Sequence, residues 1–393
     1  MTPRLLYLGD VPVESSYHGS TLLYRLLQGY PADRLTIVEG NLFPARTDRR
    51  LPGVTHHTLH VGKSRALNTR FHDSYSRWLS MGAGRRAAKV RPLLGTFVPD
   101  AVLTVAHGYS WVTAAKFAED ASLPLHLILH DDWPRSVSPW LRPSVELAFA
   151  AVYRQAATRL CTSPFMKEDY ERRYGARGTV LLPYRGLDAP VFDGVAERLS
   201  RTSRPPVFVF AGTINSAGYA QLLRNVATRI AAHQGELLIF GPIDVAQAAA
   251  WRLDLPNIRL GGLLKSEELL LRLRADADVL FVPMSFAADD HDNMRMGFPS
   301  KLTDYTAVGL PLLIAGPADC SAVRWANAHP GVAEVVTDAG VDALGPAIDR
   351  LCGESSHRVA LAQVAQQVGN QDFSAATAAA IFQSALQAGH VSE

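Results

Sequence analysis

The segment from Phe281 to Pro317 decides the fold. It reads FVPMSF (281–286), AADDHDNMRM (287–296), GFPSKLTDY (297–305) and TAVGLPLLIAGP (306–317). Its first and last pieces contain apolar runs of strand length. The polar residues between them predict a loop, then a helix that opens at a turn near Pro299 and stops at Gly309. In a strand–loop–helix–strand unit, the loop and the helix N-terminus lie at the carboxyl edge of a parallel sheet, where open α/β sheets bind ligands.

The residues at this turn suit a nucleotide. Free backbone N–H groups at the helix start, near Pro299 and Ser300, favour an anion. Lys301 in the first turn adds a positive charge, and Asp304 can accept hydrogen bonds from hydroxyl groups. Because a phosphate beside sugar hydroxyls describes a nucleotide, the segment predicts a nucleotide-sugar site.

The whole chain has the composition of a globular protein. It has 393 residues, of which 48% are hydrophobic and 19% are charged, and this length is natural for two domains. No apolar run is long enough for a membrane span, and the start MTPRLLYLGD lacks the layout of a signal peptide. The three cysteines are scattered, as in a reducing compartment. We therefore expect a cytoplasmic protein.

Strand patterns alternate with helical patterns in both halves. The expected strands are 5–9, 35–39, 101–107, 125–130, 158–163 and 179–183, then 207–212, 236–241, 258–262, 279–283 and 311–315. This alternation predicts an α/β protein with two Rossmann-like, doubly wound parallel-sheet domains facing a central cleft. The predicted division is a first domain 1–185, a linker 186–206, a second domain 207–372 and a C-terminal helix 373–393 that packs back toward the first domain.

Charge is unevenly spread, and the basic residues concentrate in the segment 63–91. Phe71, Tyr75 and Trp78 lie there at helical spacing. Two interpretations stay open. A basic helix with aromatic residues fits peripheral contact with an anionic membrane, and it equally fits a solvated helix whose aromatic face packs on its own domain. The balanced total charge and the absence of a binding motif argue against nucleic acid as a partner.

Several polar residues and glycines follow predicted strands or open a helix. His107 and His130 end strands of the first half, and Asp131 follows His130. Gly19 precedes a helix, where it would let a backbone approach phosphates. Gly212 and Thr213 follow a buried strand, which predicts a phosphate-facing turn. For each of these the alternative is a purely structural role.

Eight segments, taken in order, resemble the GT-B glycosyltransferases, most closely the family 4 type of retaining enzymes. They are VAHGYSW (105–111), LILHDDW (127–133), TVLLPYRGLDAPVF (179–192), FVFAGTI (208–214), LLIFGP (237–242), NIRLGGLL (257–264), SEELLLRLRADADVLFVP (266–283) and GFPSKLTDYTAVGLPLLI (297–314). The resemblance implies a nucleotide-diphosphate sugar held mainly by the second domain and a hydroxyl acceptor bound by the first. It also implies transfer with retention, no cofactor and no metal.

The resemblance gives the candidate residues their roles. His130 would contact the transferring sugar or the leaving phosphate, Asp131 would orient that imidazole or meet the acceptor hydroxyl, and His107 would lie on the acceptor side. The donor set would comprise Gly19, Gly212, Thr213, Asn215, Pro299, Ser300, Lys301 and Asp304.

Two departures from the family pattern stand out. The family commonly has a Glu at each end of a nine-residue span, where this chain has Met296 and Asp304. It also tends to place an Arg and a Lys after the glycine turn, where this chain has Thr213, Ile214, Asn215 and Ser216. The phosphate charge would therefore depend on Lys301, with Arg295 as a further candidate, and on backbone N–H groups.

The leading hypothesis is a glycosyltransferase of saccharide or glycoconjugate biosynthesis, such as polysaccharide assembly. A lipid-linked saccharide is among the candidate acceptors. Two alternatives stay open: a nucleotide-sugar epimerase of the same fold, and a non-catalytic protein that binds a nucleotide sugar or a partner enzyme. The acidic run 289–292 is interpreted as a solvated loop that closes over the sugar rather than as a metal site, because consecutive side chains diverge.

Overall fold

The computed structural model describes residues 2–15, 18–43, 45–200 and 205–388. Its contacts divide the chain into a first unit, formed by residues 1–187 and 375–393, and a second unit, formed by residues 188–374. Residues 188–200 of the segment expected to be a linker thus belong to the second unit. Residues 201–204 of that segment lie outside the described part of the chain.

The first unit is a seven-stranded parallel sheet flanked by helices. Its strands are β1 (Leu5–Gly9), β2 (Leu35–Gly40), β3 (Thr55–Leu59), β4 (Ala101–Val105), β5 (Leu125–Leu129), β6 (Thr158–Cys161) and β7 (Thr179–Val180). Its first eight helices are α1 (His18–Leu27), α2 (Ser64–Leu67), α3 (His72–Met81), α4 (Ala83–Leu94), α5 (Ser110–Asp120), α6 (Trp133–Ser136), α7 (Arg142–Gln155) and α8 (Pro164–Tyr174). The strand order is β3-β2-β1-β4-β5-β6-β7.

The second unit repeats the plan with six parallel strands. These are β8 (Val207–Ala211), β9 (Glu236–Phe240), β10 (Ile258–Gly262), β11 (Val279–Pro283), β12 (Leu312–Ala315) and β13 (Glu334–Val336). Its helices are α9 (Ala217–Ile230), α10 (Val245–Ala250), α11 (Ser266–Asp276), α12 (His291–Met296), α13 (Lys301–Tyr305), α14 (Ser321–Ala328), α15 (Gly345–Gly353) and α16 (Ser355–Asp372). The strand order is β10-β9-β8-β11-β12-β13.

Both sheets reverse their strand order beside the first strand of the unit. In the first unit β1 lies between β2 and β4, and in the second unit β8 lies between β9 and β11. Strands next to this reversal are buried on both faces, which explains why they read as continuous apolar runs. The expectation of two Rossmann-like doubly wound sheets is confirmed, and each reversal marks the edge where such a sheet binds ligands.

The last helix, α17 (Ala375–Ala388), belongs to the first unit. Its residues Ala378, Phe382 and Leu386 are buried in the same core cluster as Leu5 and Leu23. Their spacing of four residues places them on one face of the helix, so the Ala-rich segment docks through that stripe.

Three local predictions are wrong. The strands β3 and β13 were not expected, since β3 reads THHTL and is half exposed at the sheet edge, while β13 has only three residues. The stretch expected to be a polar loop, 287–296, is largely helical and includes α12, whose Met294 and Met296 are buried. The helix expected to reach Gly309 ends at Tyr305 as α13.

Candidate functional site

The carboxyl edge of the second sheet is lined by glycines. Gly212 follows β8, Gly241 follows β9, and Gly262 ends β10. The N–H of Gly212 donates to the carbonyl of Phe240 at 2.9 Å, and the N–H of Gly241 donates to the carbonyl of Gly262 at 2.9 Å. A Cβ on Gly241 would lie 2.3 Å from the carbonyl oxygen of Gly212. A side chain would therefore not fit there, and the edge stays bare backbone that a ligand can approach closely.

Lys301 extends from α13 to this glycine edge. Its Nζ lies 4.1 Å from the centre of the Phe210 ring and 5.8 Å from that of Tyr219. A Cβ on Gly212 would be 3.4 Å from the same Nζ. Within the described residues the Nζ of Lys301 has neither a hydrogen bond nor an ion pair. Burial lowers the pKa of this group to about 7. Lys301 is half-buried, and a partly desolvated cation against aromatic faces is a natural partner for an anionic ligand.

Tyr305 fixes the position of α13. It is buried, and its hydroxyl oxygen accepts the N–H of Ala211 at 2.6 Å. Lys301 and Tyr305 are four residues apart and so share one face of the helix. The bond therefore ties the helix that carries Lys301 to the end of β8. The pattern Lys-x-x-x-Tyr was visible in the sequence, but this tethering role was not predicted.

Asp304, Pro299 and Ser300 lie around the same short helix and are half-buried. The Oγ1 of Thr303 donates to Asp304 at 3.4 Å. The N–H groups of Leu302 and Thr303 already donate to the carbonyls of Pro299 and Ser300. These two N–H groups are therefore already paired within the first turn of the five-residue helix α13, and the anion site at the helix start stays a prediction.

The turn after Gly212 is polar but uncharged. Thr213 is half-buried and Asn215 is exposed. The Oγ of Ser216 donates to Asp290 at 2.6 Å, so one residue of the acidic run binds this turn. His291 pairs instead with Asp319, at 2.9 Å. The run thus diverges, and among the residues that the structure describes no group of three or more His, Cys, Asp or Glu side chains could hold a metal ion.

In the first unit, two histidines lie at neighbouring strand ends. His107 follows β4 and His130 follows β5. The ring of His107 lies 4.5 Å from that of Trp133 and 5.8 Å from that of Phe43, between ring centres. A Cβ on Gly19 would lie 3.2 Å from Nδ1 of His130. The structure therefore brings the start of α1 to the end of β5.

Burial favours the neutral form of both imidazoles. Burial lowers the pKa of His107, and it lowers the pKa of His130 to about 4, although the nearby carboxylate of Asp131 opposes the change in both. Asp131 itself is exposed. A neutral imidazole can donate one hydrogen bond and accept another, so these residues suit contacts to sugar hydroxyls rather than neutralisation of a phosphate.

Asp10 is a residue of this region that the sequence interpretation missed. It follows β1, is fully buried, and accepts the N–H groups of Tyr109 at 2.5 Å and Ser110 at 2.7 Å, together with the Ser110 hydroxyl at 2.6 Å. Gly108 has a φ of 69°, and a Cβ there would be 2.4 Å from the Asp10 carboxylate. Asp10 therefore holds the loop that carries His107. The signal was an Asp directly after the first strand.

Burial raises the pKa of Asp10, while its three hydrogen bonds and Arg86 oppose that rise. Arg86 is buried too, and its Nε donates to Thr113 on α5 at 3.0 Å. The loop after β4 is thus positioned by a buried polar network that extends from β1 to α4 and α5. The hydrogen bonds of this network hold the loop in one conformation, while Nη2 of Arg86 is buried without a hydrogen-bond partner among the described residues.

Comparisons with known proteins rest on structure alone, because neither the protein-family models nor the curated protein sequences give a match. Among solved structures, the chain is similar to HepE from Anabaena in complex with UDP and glucose, with a TM-score of 0.69 at 15% identity over 98% of this chain and 99% of that one. The chain has the GT-B fold.

Two other GT-B structures resemble the chain along nearly its full length. Sucrose-phosphate synthase from Thermosynechococcus elongatus has a TM-score of 0.68 at 16% identity over 98% of both chains. An alpha,alpha-trehalose-phosphate synthase from Burkholderia xenovorans in complex with glucose-6-phosphate has 0.65 at 12% identity, over 98% of this chain and 100% of that one. The resemblance to GT-B proteins seen in the sequence motifs is confirmed at the level of the fold.

Proposed function

We propose that this protein is a glycosyltransferase that moves a sugar from a nucleotide-diphosphate sugar to a hydroxyl acceptor with retention at the anomeric carbon. The observation that carries the proposal is the environment of Lys301. A half-buried cation without an anionic partner among the described residues lies against the bare glycine edge of a Rossmann-like sheet. A diphosphate would supply the missing negative charge.

UDP-glucose is the first donor to test. The Anabaena HepE structures were solved with UDP, with UDP and glucose, and with UDP-glucose. In the proposed arrangement Lys301 meets the diphosphate, the backbone at Gly212 and Thr213 approaches it, and Asn215 completes the turn. Asp304 accepts from the ribose hydroxyls, and the residues before α13, Pro299 and Ser300, line the same edge.

The chemical step needs charge stabilisation more than a strong base. As the bond to the leaving diphosphate breaks, negative charge grows on phosphate oxygen, and a preorganised ammonium group stabilises it. The acceptor hydroxyl attacks the anomeric carbon on the face that the diphosphate leaves, and the departing phosphate oxygen takes the hydroxyl proton, so the configuration at that carbon is retained. On the donor side, neutral His130 would donate a hydrogen bond to the sugar or phosphate, and Gly19 would leave room for the donor. On the acceptor side, His107 would contact the acceptor and Asp131 would reach its hydroxyl group. This scheme uses neither a metal ion nor a cofactor besides the donor.

The acceptor is proposed at the level of its chemistry, as a hydroxyl compound of saccharide or glycoconjugate assembly. A lipid-linked saccharide is the first candidate, because the basic surface of the first unit suits an anionic environment. Within the described residues, no helix has the length and apolar character needed to cross a bilayer.

A non-catalytic nucleotide-sugar-binding protein is the second candidate. It is favoured by the turn from Thr213 to Ser216, which carries no cation. The epimerase alternative has less support. It needs acid and base carboxylates, but Asp132 is buried and engaged by Tyr170 at 3.0 Å and Arg173 at 3.1 Å. Of the two carboxylates that follow β5, Asp131 is left for that role.

A thermal-shift screen against UDP, GDP, ADP and TDP and their sugars, with and without magnesium, tests the proposal. A ligand at 100 times its dissociation constant stabilises the native state by about 2.7 kcal/mol. We expect a shift with one nucleotide family that disappears in Lys301→Ala. Lys265→Ala, which removes an exposed lysine of the same unit, is the matched control and should keep the shift.

The outcomes separate the candidates. A shift without sugar transfer to any hydroxyl acceptor, and without sugar isomerisation, would favour the non-catalytic protein. Isomerisation in the absence of an acceptor would favour the epimerase. If no nucleotide gives a shift, or if Lys265→Ala abolishes it as fully as Lys301→Ala, the proposed donor site is wrong.

A further inference from the structure

The outer face of α3 and the residue that precedes it expose large apolar side chains. Phe71 is 60% exposed, Trp78 is 62% exposed, and Met81 is 78% exposed. The opposite face of α3 packs on the unit through buried Ser76 and Leu79. The interpretation of this helix as one whose aromatic face is packed on its own domain is therefore wrong for Phe71 and Trp78. A surface of this kind marks an interaction site.

The exposed rings are held in defined positions. Trp78 stacks on Tyr75, with ring centres 5.6 Å apart and an angle of 15° between planes. The hydroxyl of Tyr75 accepts the N–H of Lys63 at 2.7 Å. The guanidinium of Arg70 lies 4.8 Å from the centre of the Phe71 ring. The rings are thus presented outward by local contacts, rather than left over from an incomplete core.

Positive charge surrounds these rings. The segment 63–91 has eight Lys and Arg residues and a single acidic residue, Asp73. Seven of the eight cations are exposed: Lys63, Arg65, Arg70, Arg77, Arg85, Lys89 and Arg91. Asp73 is already engaged by His72 at 2.9 Å and by the hydroxyl of Ser138 at 2.8 Å. The surface therefore combines a net positive field with aromatic and sulfur-bearing side chains.

We propose that this surface, formed by residues 63–91 and called the α3–α4 face, docks on an anionic lipid bilayer. The ring of Trp78 would enter the interfacial region together with Phe71 and Met81, while the arginines and lysines lie among the anionic headgroups. Tryptophan is favoured at this depth because its ring is apolar and its N–H is polar. A bilayer surface accounts for both features at once, because it accepts apolar side chains at its interface and attracts the surrounding cations through its headgroups. A soluble partner would not need both.

The α3–α4 face is joined to the candidate site of the first unit. The Oγ of Ser76 and the hydroxyl of Tyr109 are 2.6 Å apart, and the N–H of Tyr109 donates to Asp10. Tyr109 lies in the loop that carries His107. Resting on the proposed function, this connection deepens it: the acceptor hydroxyl would belong to a membrane-borne molecule that reaches the first unit from the bilayer surface.

Vesicle sedimentation tests the docking without requiring any catalytic activity. The full chain is mixed with phosphatidylcholine vesicles or with vesicles that also contain phosphatidylglycerol. We expect sedimentation with the anionic vesicles only. In F71S/W78S the partition coefficient should fall roughly tenfold, and in R77E/K89E it should fall by at least as much and lose most of its salt dependence.

Matched controls keep the test specific. V245S/L263S removes two exposed apolar side chains of the second unit, and Lys265→Glu reverses an exposed charge there. Both should sediment like the unaltered chain. Thermal melting verifies that every variant is folded, and the nucleotide thermal shift of F71S/W78S should be unchanged. That readout distinguishes a failure of the docking surface from a failure of the donor site.

Four outcomes would overturn the proposal. These are no sedimentation with anionic vesicles, equal losses in the control variants, salt-sensitive binding that is unaffected by F71S/W78S, and a dimer in size-exclusion chromatography that F71S/W78S converts to a monomer. The third would show that the α3–α4 face binds vesicles through charge alone, without insertion of its aromatic rings. The fourth would make it an interface between two copies of the chain.

Discussion

The carboxyl edges of the two sheets differ in how their polar groups are satisfied. In the first unit Asp10 accepts three hydrogen bonds from the loop after β4, and burial lowers the pKa of His107 and of His130. In the second unit Lys301 lies on aromatic faces beside bare glycine backbone. The Asp10 carboxylate at the first edge is satisfied by hydrogen bonds within the protein, whereas Lys301 at the second edge has no anionic partner among the described residues. Ligand charge should therefore be recognised mainly by the second unit.

The largest effect expected from this difference is on catalysis. Lys301→Ala should lower kcat roughly 100-fold, because the ammonium group stabilises charge that grows on the leaving diphosphate. The KM for the donor should rise as well, by a smaller factor, because the same ammonium group also meets the diphosphate in the ground state. Steady-state kinetics with UDP-glucose and a hydroxyl acceptor would measure both, with Lys265→Ala as the control. A raised KM with unchanged kcat would show that Lys301 contributes only to ground-state binding.

Asp10→Asn tests the carboxyl edge of the first unit. The amide can accept fewer hydrogen bonds, so the loop from His107 to Ser110 should open more often, and the exchange of its backbone amides should rise about tenfold or more. Hydrogen–deuterium exchange followed by mass spectrometry would detect this. Ser110→Ala removes one of the three bonds and should have a smaller effect. UDP affinity should stay constant; a parallel loss of affinity would refute the separation between the two edges.

The pH dependence of donor binding should reveal the charge on Lys301. Because burial lowers its pKa to about 7, the free protein above that pH must take up a proton to form the cation that binds phosphate. UDP-glucose affinity should therefore be highest below pH 7 and fall by up to about tenfold per unit above it. Affinity measured from pH 6 to about 9 tests this.

Lys301→Arg sharpens the same experiment, since a guanidinium keeps its charge throughout that range. Its affinity profile should be flat. A wild-type profile that is flat as well would mean that Lys301 is already charged in the free protein at every pH tested. The affinity would then not depend on protonation of Lys301, and the contrast between Lys301 and the hydrogen-bonded Asp10 would lose its basis.

The smallest expected effect is at Asp304. Asp304→Asn keeps the shape of the side chain but removes the charge that strengthens a bond from a ribose hydroxyl, so UDP affinity should fall about fivefold to tenfold. The preference for UDP over uridine should persist, because Lys301 remains. Isothermal titration with both ligands would measure this. If the preference for UDP over uridine falls as much as the UDP affinity does, Asp304 does not contact the ribose and has a different role.

The sequence predicts the frame of these edges well. The central strands are buried on both faces and must be apolar, so runs such as LLYLG and VLFVP are unmistakable. The glycine at 212 and the lysine at 301 are also visible, because a turn after a buried strand and a polar helix start have few alternatives.

Other features depend on tertiary contacts that local patterns do not contain. The edge strand β3 carries His56 and His57 because it has one neighbouring strand and a half-exposed face. The helix α12 forms in a polar stretch because Met294 and Met296 find a buried environment. The bonds from Asp10 to Tyr109 and Ser110 connect residues about 100 positions apart, so no local spacing could predict them.

The most direct test of the account is proton uptake on binding of UDP-glucose near pH 8, measured by isothermal titration calorimetry in buffers of different ionisation enthalpy. The account predicts uptake of about one proton per donor bound by the unaltered chain and by Lys265→Ala, and none by Lys301→Arg. UDP-glucose that binds without proton uptake, or with the same uptake in Lys301→Arg, would contradict the claim that Lys301 is the unpaired cation that meets the diphosphate.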